Sequence, residues 1–339
     1  MSSSMSEANL IALLNNGSIQ INRYFAILIF LFGITGNSCN ILVLSQRKFR
    51  SNPCTWLFLM SSVAFFISIL GGIVSRVLST WEIDLTNTNQ FLCKIRIFVA
   101  LNSMTVAYWL ILLGTIDRWL SSSINANRRR MSTLKNAQRS TIFTVILSTL
   151  IHIQELFCFE ANLINTPVKC YSKTEICGII SDLCFALITI LCPLCFMLIF
   201  GLMIISNIRQ SRARLHPTPM KIDSHTDQNR STVGVEDQNQ EKKMDRYLLM
   251  MLLVQILILL VFTLPFAISK IYTTITRHNV KSTLQRTIES FIVNLLFLFV
   301  FIAAGMPFYI YTLSGGHMFR QALVNLMKTF MRKFMCQRH

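Results

Sequence analysis

Long apolar runs without a formal charge dominate this chain, and their lengths predict its elements. Arg23 and Arg47 are separated by 23 uncharged residues, and Arg50 and Arg76 by 25. Further runs of 20, 26, 23 and 30 residues lie between Arg96 and Asp117, Asp182 and Arg209, Arg246 and Lys270, and Glu289 and Arg320. A bilayer core about 30 Å thick is crossed by about 20 apolar helical residues, so these six windows predict transmembrane helices. A seventh candidate is shorter. Ser140–Gln154 is charge-free over 15 residues, and Phe157, Cys158 and Phe159 carry the apolar character past Glu155. A re-entrant or interfacial segment is the alternative reading there.

Charge placement argues for a full seventh crossing. If all seven segments cross, the loops alternate sides, and Lys and Arg should collect on the cytoplasmic face. One side then holds Arg47, Lys48 and Arg50, the five basic residues from Arg128 to Arg139, eight from Arg209 to Arg246 and five from Arg320 to Arg338. The other side receives only Arg23, Arg76, Lys94, Arg96, Lys169, Lys173, Lys270, Arg277, Lys281 and Arg286. A failed fourth crossing would mix the two groups. The expected fold is therefore all-α. It has an extracellular N-terminus (1–23), a seven-helix transmembrane bundle (24–314) and a cytoplasmic tail with an amphipathic helix (315–339). The expected spans are 24–45, 54–79, 92–120, 140–163, 178–208, 244–275 and 285–313. Such a chain is expected to be a multi-pass membrane protein, with membrane lipid as its first partner.

Composition agrees: 53% of residues are hydrophobic and 14% charged, against about 25% charged in average domains. A soluble enzyme, a disulfide-stapled secreted domain and a disordered chain are excluded. The net charge of +17 is accounted for by the cytoplasmic loops, so no nucleic-acid partner is inferred. Residues 1–22 show no positively charged leader before an apolar stretch, and the first span is expected to act as its own insertion signal. Asn16-Gly17-Ser18 is a glycosylation sequon on the expected outer side, whereas Asn229-Arg230-Ser231 falls inside. The segment 211–243 is polar, too poor in large apolar groups to offset its ordering entropy, and is expected to be a flexible cytoplasmic loop. Beyond Gly315-Gly316, Met318, Phe319, Leu323, Leu326, Met327, Phe330, Met331 and Phe334 recur at helical spacing among Arg320, Lys328, Arg332 and Lys333. That pattern predicts a basic amphipathic helix on the inner leaflet, with Cys336 a candidate for S-palmitoylation.

Polar groups inside a span are costly, so each calls for a reason. Asp117 and Arg118 end the third span at its cytoplasmic face, and Asp245 stands where the sixth span enters. An interfacial ion pair is the simplest role. A switch is the other: Arg118 bonded to Asp245 in one packing and released in another. Pro193, Pro265 and Pro307 fall within the last three spans. Each removes a backbone hydrogen bond and kinks its helix, which would splay the bundle around a cavity. Of the ten cysteines, Cys93 starts the third span, with Cys158, Cys170 and Cys177 as rival disulfide partners.

Taken in order along the chain, these residues resemble those of a rhodopsin-like (class A) G-protein-coupled receptor from about Tyr24 to Phe334. Gly36-Asn37 is similar to the Gly-Asn of the family's first span, and Asp117-Arg118-Trp119 to its Asp-Arg-Tyr. Cys93, 25 residues before Arg118, has the family spacing for a bridge to the second extracellular loop, which implies Cys170 as its partner. Pro193, Pro265 and Pro307 match the prolines of spans five to seven, and Phe319-Arg320 the start of the eighth helix. Several positions depart from the pattern. Phe65 stands where the family has a sodium-binding aspartate; Phe262-Thr263-Leu264-Pro265 replaces Cys-Trp-x-Pro; and Ile310 takes the tyrosine position of Asn-Pro-x-x-Tyr, with Tyr309 and Tyr311 as neighbours. The fourth-span tryptophan is missing, and Gly201 replaces the fifth-span tyrosine.

The resemblance implies a receptor that turns extracellular ligand binding into activation of a heterotrimeric G protein, with Asp117, Arg118 and Asp245 as the switch. Ala100 occupies the place of the aspartate that pairs with amine ligands, and Val300 that of the retinal lysine, so neither ligand class is implied. Arg76, Arg96 and Lys270, with Glu289 and Asp182 opposite, either reach for headgroups and water or form a mouth for a carboxylate or a mixed-charge peptide. A transporter or channel is the alternative class. It would show interrupted repeats or midplane charges, and only His152 and Glu155 approach that description. Neither paired membrane aspartates nor His-Glu-x-x-His occurs, and no metal cluster, phosphate loop or catalytic triad can be assembled; no enzyme activity and no cofactor are expected.

Overall fold

The computed structural model describes residues 2–81, 83–123, 125–164, 169–214, 232–314 and 316–336, with their side chains except at 2–5, 48, 211–214, 232–247, 314, 316–318, 329–331 and 333–336. Seven of its helices are long and apolar enough to cross a bilayer: Ser6–Leu44, Pro53–Ser79, Gln90–Ser122, Leu134–Cys158, Glu175–Gln210, Leu248–Ile275 and Thr283–Gly305. They make the chain a multi-pass membrane protein built as a seven-helix bundle. The third span lies at its centre, packed on the second, fourth and fifth; the first packs on the second and seventh, and the seventh on the sixth.

The fourth span is 25 residues long, more than the charge-free window of 15 supplies. The helix gains that length by starting at Leu134, with Thr133 Oγ1 accepting from Asn136 N as its N-cap. It also stops earlier than the expected 163. Phe159–Glu160 is a short strand paired antiparallel with Tyr171–Ser172, a hairpin between the fourth and fifth spans.

Two further expectations need correction. Helix begins at Ser2 rather than at Tyr24, passing through a π-helical turn at Ile21–Phe25 into Ala26–Leu44. Over the 39 residues of Ser6–Leu44 this is about 58 Å of helix, far more than a bilayer needs. The sixth-span helix likewise begins at Thr232, inside the segment expected to be a flexible loop. Glu, Gln and Lys in that stretch are good helix formers, and lengthening an existing helix carries no nucleation cost. Residues 215–231 lie outside the described ones.

The three prolines act differently. Pro193 is the second residue of Cys192–Arg214, directly after a π-helical turn at Cys184–Leu191 that absorbs the lost hydrogen bond. Helix runs unbroken through Pro265. At Pro307 it breaks: Thr283–Gly305 ends, Met306 caps it, and Pro307 opens Pro307–Ser314 at the position where its missing N–H costs nothing. Asn37 compensates beside that break, its Nδ2 donating to Ala304 O at 3.1 Å and to Gly33 O at 2.9 Å. Glycines allow the first and seventh spans to come this close. A Cβ on Gly305 would stand 2.9 Å from Gly33 Cα, and one on Gly36 2.9 Å from Gly305 O.

Gly316–Cys336 forms the last helix. Phe319 is buried against Phe49, Phe308 and Tyr311. Arg320 donates through Nε to Thr312 O and through Nη2 to Leu313 O, 2.8 and 3.0 Å, satisfying carbonyls left open where the preceding helix ends.

Candidate functional site

A cavity of about 580 Å³ opens at one end of the bundle, lined by the first, second, third, fifth, sixth and seventh spans and by the hairpin. Two disulfides fix the hairpin over it. Cys93–Cys170 ties its second strand to the third span, and Cys158–Cys177 joins the end of the fourth span to the start of the fifth. Lys173 N donates to Cys158 O at 2.8 Å across the same junction. Tyr171 and Ser172, next to Cys170, line the cavity.

Four aromatic rings line the cavity in sequence: Phe185 on Phe266, Phe266 on Phe297 and Phe297 on Phe301, with centroids 5.7, 5.7 and 4.9 Å apart. Gly72 leaves room for Phe301, whose Cζ lies 2.3 Å from where a Cβ would be. Arg76 lies over the Phe297 ring at 3.9 Å, and its Nη1 donates to Asn22 Oδ1 at 3.0 Å and Asn294 Oδ1 at 2.9 Å. Arg96, from the third span, donates through Nη1 to Ser75 Oγ, while its Nε is buried with no hydrogen-bond partner. Since Ser75 adjoins Arg76, that bond brings both guanidinium groups to one wall. Lys270 pairs with Asp182 at 2.7 Å and lies over Phe266. Asp84 accepts from Thr86 N and Oγ1. Glu289, expected at this mouth, is not part of the lining. Lys281 holds it at 2.6 Å, with Gln285 and Tyr272 also donating to it, in a cluster that joins the end of the sixth span, the connecting segment and the first turns of the seventh.

At the opposite end, Asp117 and Arg118 are both buried. Arg118 Nη2 donates to Asn52 Oδ1 at 2.9 Å and faces Asp117 Oδ2 at 3.3 Å, and Ser132 Oγ donates to Asp117 Oδ1 at 2.6 Å. Asn52 meanwhile caps the second span by accepting from Cys54 N and Thr55 N. The arginine is thus tied to the cap of the second span and to Asp117, and Asp117 in turn to the loop carrying Ser132. Asp245 lies within the sixth-span helix, its side chain outside the described ones.

Between the two ends the spans are joined by a few polar contacts. Thr105 Oγ1 stands 2.7 Å from His152 Nε2 and 2.6 Å from Thr189 Oγ1, linking the third, fourth and fifth spans. Glu155 lies 3.8 Å from His152 Nδ1, and both are wholly buried. Tyr311 OH donates to Gln255 Oε1 at 2.7 Å between the seventh and sixth spans. Tyr309, on another face, stacks on Phe32 at 4.0 Å and donates to Phe32 O. Phe65 is fully buried and packs edge-to-face with Tyr108.

Of the residues singled out from sequence, Arg76, Arg96, Lys270 and Cys170 meet at the cavity, Cys93 anchors its hairpin, and Asp117 and Arg118 meet at the other end. Asn16 is exposed on the helix Ser2–Gln20, and Cys336 ends the last helix with its side chain outside the described ones. Asn22, Asn294 and Gln255 were not anticipated; their signal was a polar side chain among apolar neighbours in or beside a span. The second disulfide was left open because spacing does not choose among four cysteines.

No curated protein matches the chain. The profile described as "7 transmembrane receptor (rhodopsin family)" matches residues 36–298, a stretch that holds Asn37, both arginines of the cavity wall, the Asp117–Arg118 pair and all four disulfide cysteines. With that match over most of its length and seven packed spans, the chain belongs to the rhodopsin family of seven-transmembrane receptors.

Proposed function

We propose that the chain is a plasma-membrane receptor, with its N-terminus outside and its tail in the cytosol, that binds a peptide ligand in the cavity and activates a heterotrimeric G protein at the opposite end. Membership of a signalling receptor family supplies the class. The observation that carries the mechanism is the pairing of two built ends on one bundle. A cavity under a doubly bridged hairpin stands at one end, and a buried Asp117–Arg118 pair wired to Asn52 and Ser132 at the other. The basic loops and tail lie at the Arg118 end of the chain's threading, which the preference of Lys and Arg for the cytoplasmic face makes the inner one.

A ligand can shift such a bundle only by binding one packing better than another. The cavity draws on six spans, so a ligand there responds to their relative positions. At the other end, movement of the second, third or sixth span would disturb the Arg118 contacts and free its guanidinium for a partner. Asp117, Arg118 and Asp245 form the switch in this reading, and the last helix lies along the inner leaflet with Cys336 open to palmitoylation.

The test is a peptide-library screen on cells expressing the chain with a promiscuous G protein, with tags at both ends to report sidedness. Arg118→Ala should keep surface expression and peptide binding while abolishing the response. An unchanged response removes Arg118 from the mechanism, and two tags accessible from the same face of intact cells would overturn the topology.

A further inference from the structure

Two cations on the cavity wall have no anion in contact with them; Asp84 is near enough to attract Arg96 through space but does not pair with it. Among the described residues, no carboxylate lies within 4 Å of either Arg76 or Arg96, whereas Lys270 is neutralised by Asp182 and Glu289 by Lys281. Asp84, on the same lining, has its Oδ1 engaged by Thr86. The groups in contact with the arginines are neutral: two amide oxygens and a phenyl face for Arg76, a hydroxyl for Arg96.

This arrangement orients the two groups without discharging them. A guanidinium carries five N–H donors in a planar fork. Among the described residues, hydrogen bonds engage only Nη1 of Arg76, and Nε of Arg96 is buried without one. The like charges are near enough to repel each other, and apolar walls reduce the screening that water would supply. Two cations that share one carboxylate, and that one out of contact, keep an excess of positive charge, which is costly to bury unless a further anion joins them. Arg–carboxylate pairing is the strong, directional form of that contact. The rings beside them, Phe297 and Phe301, offer flat apolar surface to whatever adjoins the anion.

We propose that Arg76 and Arg96 form a carboxylate-binding subsite in the cavity wall, and that the ligand brings a carboxylate with an aromatic or apolar group beside it, as at the free C-terminus of a peptide ending in such a residue. This rests on the reading of the cavity as the ligand site, and it adds what the site recognises. The fixed hydrogen bonds to Asn22, Asn294 and Ser75 pre-orient both forks, so little side-chain freedom is lost when the anion arrives.

The test uses the purified full-length chain and N-acetyl-diphenylalanine as its free acid and as its C-terminal amide, with binding read from dose-dependent thermal stabilisation. The acid should bind the wild type at least about tenfold more tightly than the amide, the scale of one charge-assisted contact. Arg76→Gln and Arg96→Gln should each weaken the acid about 10- to 100-fold, the range for losing one partner of a buried charge pair, and the amide much less, because its neutral carbonyl makes only the weaker, uncharged contact. Arg76→Lys and Arg96→Lys should fall between, since an ammonium keeps the charge and loses the fork. A ligand-free melting transition like that of the wild type shows that the Gln variants are folded. Equal binding of acid and amide, equal weakening of both by the Gln variants, or no stabilisation of the wild type by the acid at about 5 mM, a concentration above the Kd of even a weak single-site contact, would each overturn the proposal. 3-Phenylpropionate is the third arm. Binding equal to that of the dipeptide acid would keep the carboxylate subsite and remove the peptide from it. Acid selectivity without G-protein activation would sink the signalling reading and leave the subsite standing; activation by amidated peptides alone would do the reverse.

Discussion

Gly305→Ala offers the sharpest test of how the bundle is packed. The added Cβ would stand 2.9 Å from Gly33 Cα and 3.0 and 3.2 Å from two carbons of the Phe32 ring. The nearest atom is backbone, so no rotamer change can relieve the contact, and the first and seventh spans must move apart. Overpacking of this kind costs about 1–3 kcal/mol. The same movement stretches the Asn37 Nδ2 bond to Ala304 O and the Tyr309 OH bond to Phe32 O, 3.1 and 3.2 Å. Interhelical hydrogen bonds in membranes contribute about 0.6 kcal/mol each, so a loss of about 2–4 kcal/mol follows. Gly201→Ala supplies the control. Its Cβ would meet only Ile256 Cδ1 and Leu253 Cδ2, both at 3.7 Å, which is ordinary contact. Replacing a helix-interior glycine by alanine where space allows stabilises by about 0.5–1 kcal/mol. The half-life of folded protein in detergent at a fixed raised temperature, compared across the three chains, should therefore rank Gly201→Ala first, wild type second and Gly305→Ala last. A Gly305→Ala variant as long-lived as wild type would refute the close approach of these two helices.

Tyr311→Phe should raise basal signalling. It removes the hydroxyl that holds Gln255 Oε1 at 2.7 Å between two buried residues, a contribution of about 1 kcal/mol to the packing described here, or about fivefold in population. Gln255→Leu should do the same, and the double variant no more than either, because one bond is shared; basal G-protein activation per surface receptor measures all three, and an unchanged basal level in each would deny the contact a role. Replacing Cys93 and Cys170 together by serine should shorten the thermal half-life more than replacing Cys158 and Cys177. The first bridge closes 77 residues and the second 19, and the entropy removed from the unfolded chain grows with loop length; the reverse order would mean that local geometry at the hairpin outweighs loop closure.

What the sequence made legible is what uncharged length and charge placement control. Apolar windows longer than a bilayer located six spans, and the basic loops argued for the fourth, because both effects depend on composition alone and not on which face a residue takes. Boundaries were less legible. Nothing in residues 232–243 is apolar enough to announce a helix, and they become one by continuing the sixth span; likewise the first helix extends back to Ser2. Facing was the least legible. Arg76, Arg96, Lys270 and Glu289 have similar places along their spans, yet three line the cavity and Glu289 turns to Lys281. The difference depends on rotation about a helix axis and on neighbours distant in sequence, such as Asn294 and Asp182, which a single chain read linearly does not align.

The departures from the family pattern take on a physical sense once their neighbours are known. At Phe65 a carboxylate would sit among buried hydrocarbon; the phenyl ring instead meets the edge of Tyr108 at 5.6 Å, and the second and third spans are joined there by packing rather than through an ion. Thr263 turns its hydroxyl back to donate to Leu259 O within its own helix, at 2.6 Å. The contacts between the sixth and seventh spans at that level are aromatic, Phe262 against Phe299 and Phe266 against Phe297. Such contacts tolerate sliding, because dispersion and edge-to-face attraction fall off gradually with displacement. The Tyr311–Gln255 bond does not, since a hydrogen bond weakens steeply once its geometry is lost. Ile310 in the usual tyrosine position thus need not cost the bundle its polar link. One residue further along turns the helix by about 100°, and it is Tyr311 that faces the interior. An aromatic interface that tolerates sliding, held by one directional bond, concentrates the resistance to relative movement of the sixth and seventh spans in the Tyr311–Gln255 contact.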